Sequence, residues 1–271
     1  MVVIKNNHSN IHRCGMVVFF SILAVYMTKK NSLVIIGRHT VMEALMDGQT
    51  IDKVLVDRLS SFPELVEKCR ELEVPLQKVP KEKLDRMGSN HQGVAAYRSQ
   101  VDYTQLENLV PHLFESGAVP LLVILDRITD VGNFGSISRS AEVLGADALI
   151  FPARESAQLN SDAIKRSAGA LLRIPLCRVR DLVTAVRYLK ESGYVVIAAD
   201  EKGRTPLGQI DLTEPIAIIM GSEGEGIAPE LLKLVDHILF IPQAGQLDSL
   251  NVSVAAGIIL YETQRQRSSG D

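Results

Sequence analysis

Five short runs of almost unbroken apolar residues mark the second half of the chain: PLLVILD (120–126), DALIF (147–151), YVVIAAD (194–200), PIAIIM (215–220) and HILFI (237–241). Runs of this length without polar alternation are the pattern of parallel strands covered on both faces by helices. Helical segments lie between them, and a long helix over roughly Asn251–Arg267 closes the chain. The fold class that follows is α/β, with a doubly wound parallel sheet over residues 119–271. In such a sheet the ligand site lies where loops leave the carboxyl ends of the strands.

The first half repeats the alternation on a smaller scale. LVII (33–36), RHTVMEALMDG (38–48), KVLVD (53–57), FPELVEKCREL (62–72), PLQKV (75–79) and GVAAYR (93–98) predict a small α/β unit over residues 31–98. The polar stretch SQVDYTQL (99–106) predicts a linker, and residues 99–118 supply that linker and a lead-in helix. Met1–Lys30 reads differently. Its apolar core, GMVVFFSILAVYM (15–27), is too short to span a bilayer, and no small-x-small cleavage site follows it. The preferred reading is a translation start at Met27, with residues 1–30 outside the fold and no stable membrane association; a short membrane anchor is the competing one.

Charge is distributed unevenly. Residues 1–30 carry four Lys/Arg and no acid, residues 31–105 ten against eleven, and residues 106–271 fifteen against twenty-one. Within the acidic half, residues 139–190 hold nine bases against five acids, which suits one localised polyanion contact or a solvated helix face. Aromatic residues are 5% and Trp is absent, which argues against a base-stacking platform. Cys14, Cys69 and Cys177 are far apart and form neither a metal-ligand set nor a disulfide framework, as in a reducing cytoplasm.

Three polar loops follow three of the apolar runs: DRITDVGNFGSISRSAEVLG (126–145), GSEGEG (221–226) and IPQAGQLDSLNVSVAAG (241–257). GSEGEG has the spacing G-x-x-G-x-G, whereas a dinucleotide fold needs G-x-G-x-x-G, so a nicotinamide dehydrogenase is disfavoured. Gly221, Gly224 and Gly226 predict a tight turn with positive φ, which also lets a ligand approach bare backbone. Glu223 sits in that turn; Ser249 reads as the N-cap of the last helix, with Asn251 and Ser253 in its first turn. No nucleophile–histidine–acid triad and no metal constellation can be assembled.

At these loops the sequence resembles the SpoU branch of the SPOUT methyltransferases: NFGSISRSA, GSEGEG and IPQAG…SLNVSVA match its three signature blocks in order. GRHTVMEAL (37–45), NHQGVAA (90–96) and ESAQLN…KRSAGA (155–170) are similar to the branch that modifies guanosine in large-subunit rRNA. Val131 stands where that family usually has proline, and Gln243 where methionine is usual. The resemblance implies a deep trefoil knot, a homodimer with composite sites, and S-adenosylmethionine bound around Gly221, Ile241 and Leu250, with Ser222, Gly226 and Gly245 as neighbours. It also implies catalysis by Arg139 and Asn133, with Glu223, Ser249 and Asn251 orienting them. An arginine almost never gives up its proton, so Arg139 reads as a phosphate clamp that steadies developing alkoxide charge, with the general-base role left open. Arg38, His39, His91, Arg154 and Lys165 are the expected RNA contacts. The function implied is ribose 2′-O-methylation of a guanosine in 23S rRNA by a cytoplasmic enzyme. A tRNA 2′-O-methyltransferase of the same fold and a catalytically silent RNA-binding assembly factor are the alternatives.

Overall fold

In the computed structural model the described residues are 34–245 and 249–268. The early-start and anchor readings of residues 1–30 therefore lie outside them. Among the described residues no helix is long and apolar enough to cross a membrane.

The amino-terminal residues build a four-stranded sheet from β1 (Val34–Ile36), β2 (Ile51–Asp57), β3 (Leu76–Val79) and β4 (Val94–Arg98), in the order β1-β4-β2-β3. β4 runs antiparallel to both β1 and β2, while β2 and β3 are parallel. In the middle of β2, Val54, Leu55 and Val56 are all buried, so this strand is covered on both faces. Helices α1 (Arg38–Met46) and α2 (Pro63–Glu71) pack Val41, Leu45, Leu65 and Cys69 against Val54 and Val56; on the other face Leu84 of α3 (Lys81–Asp85) meets Leu55 and Ala95.

The larger sheet has seven strands, all parallel, in the order β7-β6-β5-β10-β8-β11-β9. They are β5 (Leu121–Leu125), β6 (Ala148–Pro152), β7 (Leu176–Val179), β8 (Val195–Ala199), β9 (Thr205–Pro206), β10 (Ile216–Met220) and β11 (His237–Phe240). Every residue of β5 and of β10 is buried, as the unbroken apolar runs require. One face is covered by α5 (Val131–Val143), α6 (Ser161–Arg166) and α9 (Val252–Ser268), through Phe134, Ile137, Ala163, Ile259 and Leu260. The other is covered by α4 (Leu106–Glu115), α7 (Leu182–Glu191) and α8 (Pro229–Leu232). From β5 the chain first lays β6 and β7 to one side, then crosses to build β8, β9, β10 and β11 on the other. That reversal opens a crevice at the strands' carboxyl ends.

The two sheets are joined by a tight seam rather than a loose linker. Val101 is 3% exposed in the core of the larger sheet, the Thr104 amide donates to the Leu176 carbonyl at 2.8 Å, and Tyr103 packs edge-on against Phe151. Arg178 of β7 lies 4.2 Å over the Tyr103 ring and donates to the carbonyls of Ile51 at 2.9 Å and Asp52 at 3.4 Å. The Tyr103 hydroxyl donates to the Asp52 carboxylate at 2.7 Å, and burial followed by that nearby charge raises its pKa. Counted in the sequence among bases for a polyanion, Arg178 is in fact spent on this seam, its side chain 9% exposed.

Candidate active site

β10 ends at Met220 and the chain turns at once. A Cβ on Gly221 would lie 2.6 Å from the Gly226 carbonyl oxygen, a distance no real side chain tolerates, so glycine alone lets the turn close on itself. The closure is a two-way backbone pair: Ser222 N–H donates to Gly226 at 3.1 Å and Gly226 N–H to Ser222 at 3.0 Å. Gly224 (φ +96°) and Gly226 (φ +68°) take the left-handed conformations read from the sequence; Gly221 is needed for close approach instead.

The turn forms one wall of a cavity of about 770 Å³ at the carboxyl ends of β8, β10 and β11. Leu239, Ala255 and Ile259 stand at its inner end, and its rim carries Asp200, Glu201, Glu223 and Glu225 against Lys202. That surplus of carboxylates favours a ligand bearing positive charge. Gly221, Ser222, Gly226, Ile241 and Leu250 all line the cavity, as does Gln243; Gly245 is exposed and outside the lining. Sequence reading missed Asp200–Lys202, although their place directly after the apolar run YVVIAAD was the available signal.

At the cavity's lip the three loops meet through one amide. Asn251 donates from Nδ2 to Asn133 Oδ1 at 3.0 Å and to Glu223 Oε1 at 2.5 Å. Its Oδ1 accepts from the Ser253 N–H at 2.9 Å and the Ser253 hydroxyl at 2.6 Å, which caps α9. The cap is therefore Asn251 and not Ser249, which lies two residues earlier on the cavity lining. The reason is geometric: the cap must stand immediately before the first helical residue, here Val252. Asn133 is fixed in the same way, because Asp130 caps α5 by accepting the Asn133 N–H at 2.7 Å.

The fold brings Asn133, Glu223 and Asn251 into contact and sets Ser249 beside them. Arg139 stands apart. Six residues beyond Asn133 on α5, or roughly 9 Å along its axis, it is exposed, off the cavity lining, and without a hydrogen bond or ion pair among the described residues. Arg154 and Lys165 are likewise exposed and unpaired among the described residues, and His39 is exposed. Arg38 pairs with Glu64 at 3.2 Å. His91 is 7% exposed, with Nδ1 accepting from the Gly93 N–H at 2.9 Å and Nε2 facing Asp85 at 2.8 Å; it shapes its loop rather than offering a free edge. Burial pushes the Cys177 thiol up to about 12 and the Cys69 thiol to about 11, so neither supplies a thiolate nucleophile at neutral pH.

Comparison with known proteins gives the family of both sheets. Residues 120–261 match the SpoU rRNA Methylase family, and residues 34–104 match the RNA 2′-O ribose methyltransferase substrate binding family. A Staphylococcus saprophyticus protein named for the TrmH family of tRNA/rRNA methyltransferases is 35% identical over 242 residues, which cover 88% of this chain and 97% of that one. Among solved structures, the SpoU methyltransferase AviRb from Streptomyces viridochromogenes in complex with AdoMet superposes with a TM-score of 0.57 at 27% identity, covering 93% of this chain and 99% of that one. An AdoMet-bound rRNA methyltransferase from Sinorhizobium meliloti gives a TM-score of 0.56 at 26% identity, covering 86% and 87%.

Proposed function

This chain belongs to the SpoU rRNA methylase family, and from that premise we propose that it transfers the methyl group of S-adenosylmethionine to the ribose 2′-hydroxyl of a guanosine in 23S ribosomal RNA. Membership makes it an S-adenosylmethionine-dependent RNA methyltransferase. The observation that supports the ribose reading is the match of residues 34–104 to the RNA 2′-O ribose methyltransferase substrate binding family. The choice of a 23S guanosine follows the resemblance of GRHTVMEAL and NHQGVAA, and the Asn133–Asn251–Glu223 chain of hydrogen bonds marks where the ribose would lie.

The residues present fit the cofactor. The glycine turn offers bare backbone, the apolar residues at the inner end suit an adenine ring, and the acidic rim suits a sulfonium. When bound, that sulfonium supplies an already activated methyl group. The protein's share is to hold the turn, exclude water and line up the ribose oxygen, an effect worth up to roughly 7–11 kcal/mol when well oriented. Asn251, its carbonyl fixed by the α9 cap, keeps its N–H groups on Asn133 and Glu223 and so fixes where the lip's remaining acceptor lone pairs point. Ser249 stands beside them to meet the ribose. To Arg139 we assign the clamp on the phosphate next to the target: its guanidinium is exposed and unpaired among the described residues, stands off the cavity as a phosphate contact would, and does this without giving up its proton.

Two further parts of the reading concern the assembled enzyme. Val254, Ile258 and Tyr261 recur at i, i+4 and i+7 on the outer face of α9 and are 51%, 38% and 62% exposed, an apolar stripe that a second copy of the chain would cover. β10 is threaded between β5 and β8, laid down earlier, and α9 returns to pack on α5, which supports a knotted carboxyl-terminal path. We place the enzyme in the cytoplasm with its ribosomal substrate.

Mapping 2′-O-methyl groups on rRNA and tRNA from cells with and without this gene tests the target. Loss of one rRNA guanosine methyl group is expected; loss of a tRNA methyl group instead would move the substrate, and loss of none would leave an RNA-binding factor.

A further inference from the structure

Arg127 lies in the loop between β5 and α5 with φ +55°, a left-handed conformation that a residue with a Cβ holds only where its surroundings impose it. Its side chain is 24% exposed, and its guanidinium spreads over the back of the 221–226 turn. Nη1 pairs with Glu225, Nη2 donates to the Gly226 carbonyl at 3.1 Å, and Nε donates to Asp126 Oδ1 at 3.3 Å. Asp126, 4% exposed, accepts with Oδ2 from the Ala228 N–H at 2.7 Å, just beyond the turn. Arg127 itself does not line the cavity. The turn is thus tied to the β5–α5 junction at two points, through Arg127 at Glu225 and Gly226, and through Asn251 between Glu223 and Asn133 in the first turn of α5.

The geometry points to Arg127 as a positioning residue for methyl transfer: braced by Asp126, it sets the 221–226 turn, and Glu223 with it, against the loop that presents Asn133. This rests on the turn being the seat of S-adenosylmethionine. An arginine suits the task because its planar fork reaches a carboxylate, a carbonyl and a second carboxylate in fixed directions, which a single ammonium cannot.

Calorimetry with S-adenosylmethionine, together with separate titrations of cofactor and RNA in the methylation assay, tests it on the full chain. Arg127→Ala should raise the cofactor Kd and KM about tenfold, lower kcat because Glu223 is displaced with the turn, and leave the RNA KM within about twofold. Arg127→Lys should recover only part of that loss. Glu225→Gln, at a side chain 74% exposed that cannot unfold the protein, should give a smaller rise of the same kind. Because Arg127 acts through the turn, the kcat loss from Glu223→Gln should shrink in the Arg127→Ala background instead of multiplying with it. Gly221→Ala, whose methyl has no room, is the control for the seat itself. If Gly221→Ala destroys cofactor binding while Arg127→Ala and Glu225→Gln leave it within twofold of wild type, or if the kcat losses multiply, Arg127 is not a positioning residue. If Gly221→Ala binds normally, the seat is wrong and the inference falls with it.

Discussion

Asn251 uses one amide for two purposes: its oxygen caps α9 and its nitrogen joins two loops. Asn251→Asp separates them. Aspartate is as good a cap, so the helix should start as before. The lost donor, however, becomes a second carboxylate beside Glu223, so the link between Glu223 and Asn133 breaks. We expect turnover to fall by about tenfold or more while Tm stays close to wild type. Initial rates and thermal melts decide it; wild-type turnover would mean that the amide's hydrogen bonds do not serve the reaction. Val131 offers a milder test. It is the first residue of α5, the position where proline fits best, and Asp130 before it already has the extended φ −73°, ψ 123° that a following proline needs. No backbone partner of the Val131 N–H is lost, and the ring replaces a side chain of similar size. Val131→Pro should stabilise the fold by about 0.4–1 kcal/mol by restricting the unfolded chain, read as a higher Tm with unchanged kcat.

At the scale of elements, the five apolar runs became β5, β6, β8, β10 and β11; in the first four a strand buried on both faces has no choice of residue type, whereas β11, nearer the sheet's edge, buries only Leu239 fully. β7 and β9 escaped sequence reading for the opposite reason. LCRV carries Arg178 in its middle, and Thr205–Pro206 is a two-residue edge pairing with no pattern of its own. The glycine turn was legible as a turn, since its spacing is local. Its brace was not, because the Arg127–Glu225 pair joins residues 98 positions apart. Arg178 shows the same limit in reverse. Charge counting puts it on a surface, whereas only the packed seam reveals carbonyl acceptors and a tyrosine ring around it. Arg178→Ala leaves the carbonyls of Ile51 and Asp52 without that donor and removes the charge 3.9 Å from the Asp52 carboxylate, which keeps only its Tyr103 hydrogen bond. The fold should lose about 2–4 kcal/mol, with hydrogen exchange at residues 51–53 speeding up first and the cofactor Kd unchanged. Protection there equal to wild type would mean the seam is held without this arginine.

On the proposed reading the acidic half holds the cofactor and the amino-terminal unit meets RNA, and the seam dictates where the two can be cut. Starting the chain at Thr104, as the polar stretch 99–106 invites, removes Val101 from the larger sheet's core and Tyr103 from beneath Arg178. A chain starting at Ser99 keeps both. It retains the seven-stranded sheet, its two apolar layers and every residue lining the cavity, while Arg178 exchanges the carbonyls of Ile51 and Asp52 for water. It should fold and bind S-adenosylmethionine with wild-type affinity. It should also lose most of its activity on ribosomal RNA, because residues 106–271 carry fifteen bases against twenty-one acids and attract a polyanion only through exposed bases such as Arg139, Arg154 and Lys165. Methyl incorporation into rRNA by the two chains, at matched cofactor occupancy and several salt concentrations, measures this. The full chain should lose affinity more steeply with salt, since each extra phosphate contact releases a counterion. Equal activity at physiological salt, with equal salt slopes, would mean that residues 34–98 do not hold the RNA, and that the acidic half finds its substrate unaided.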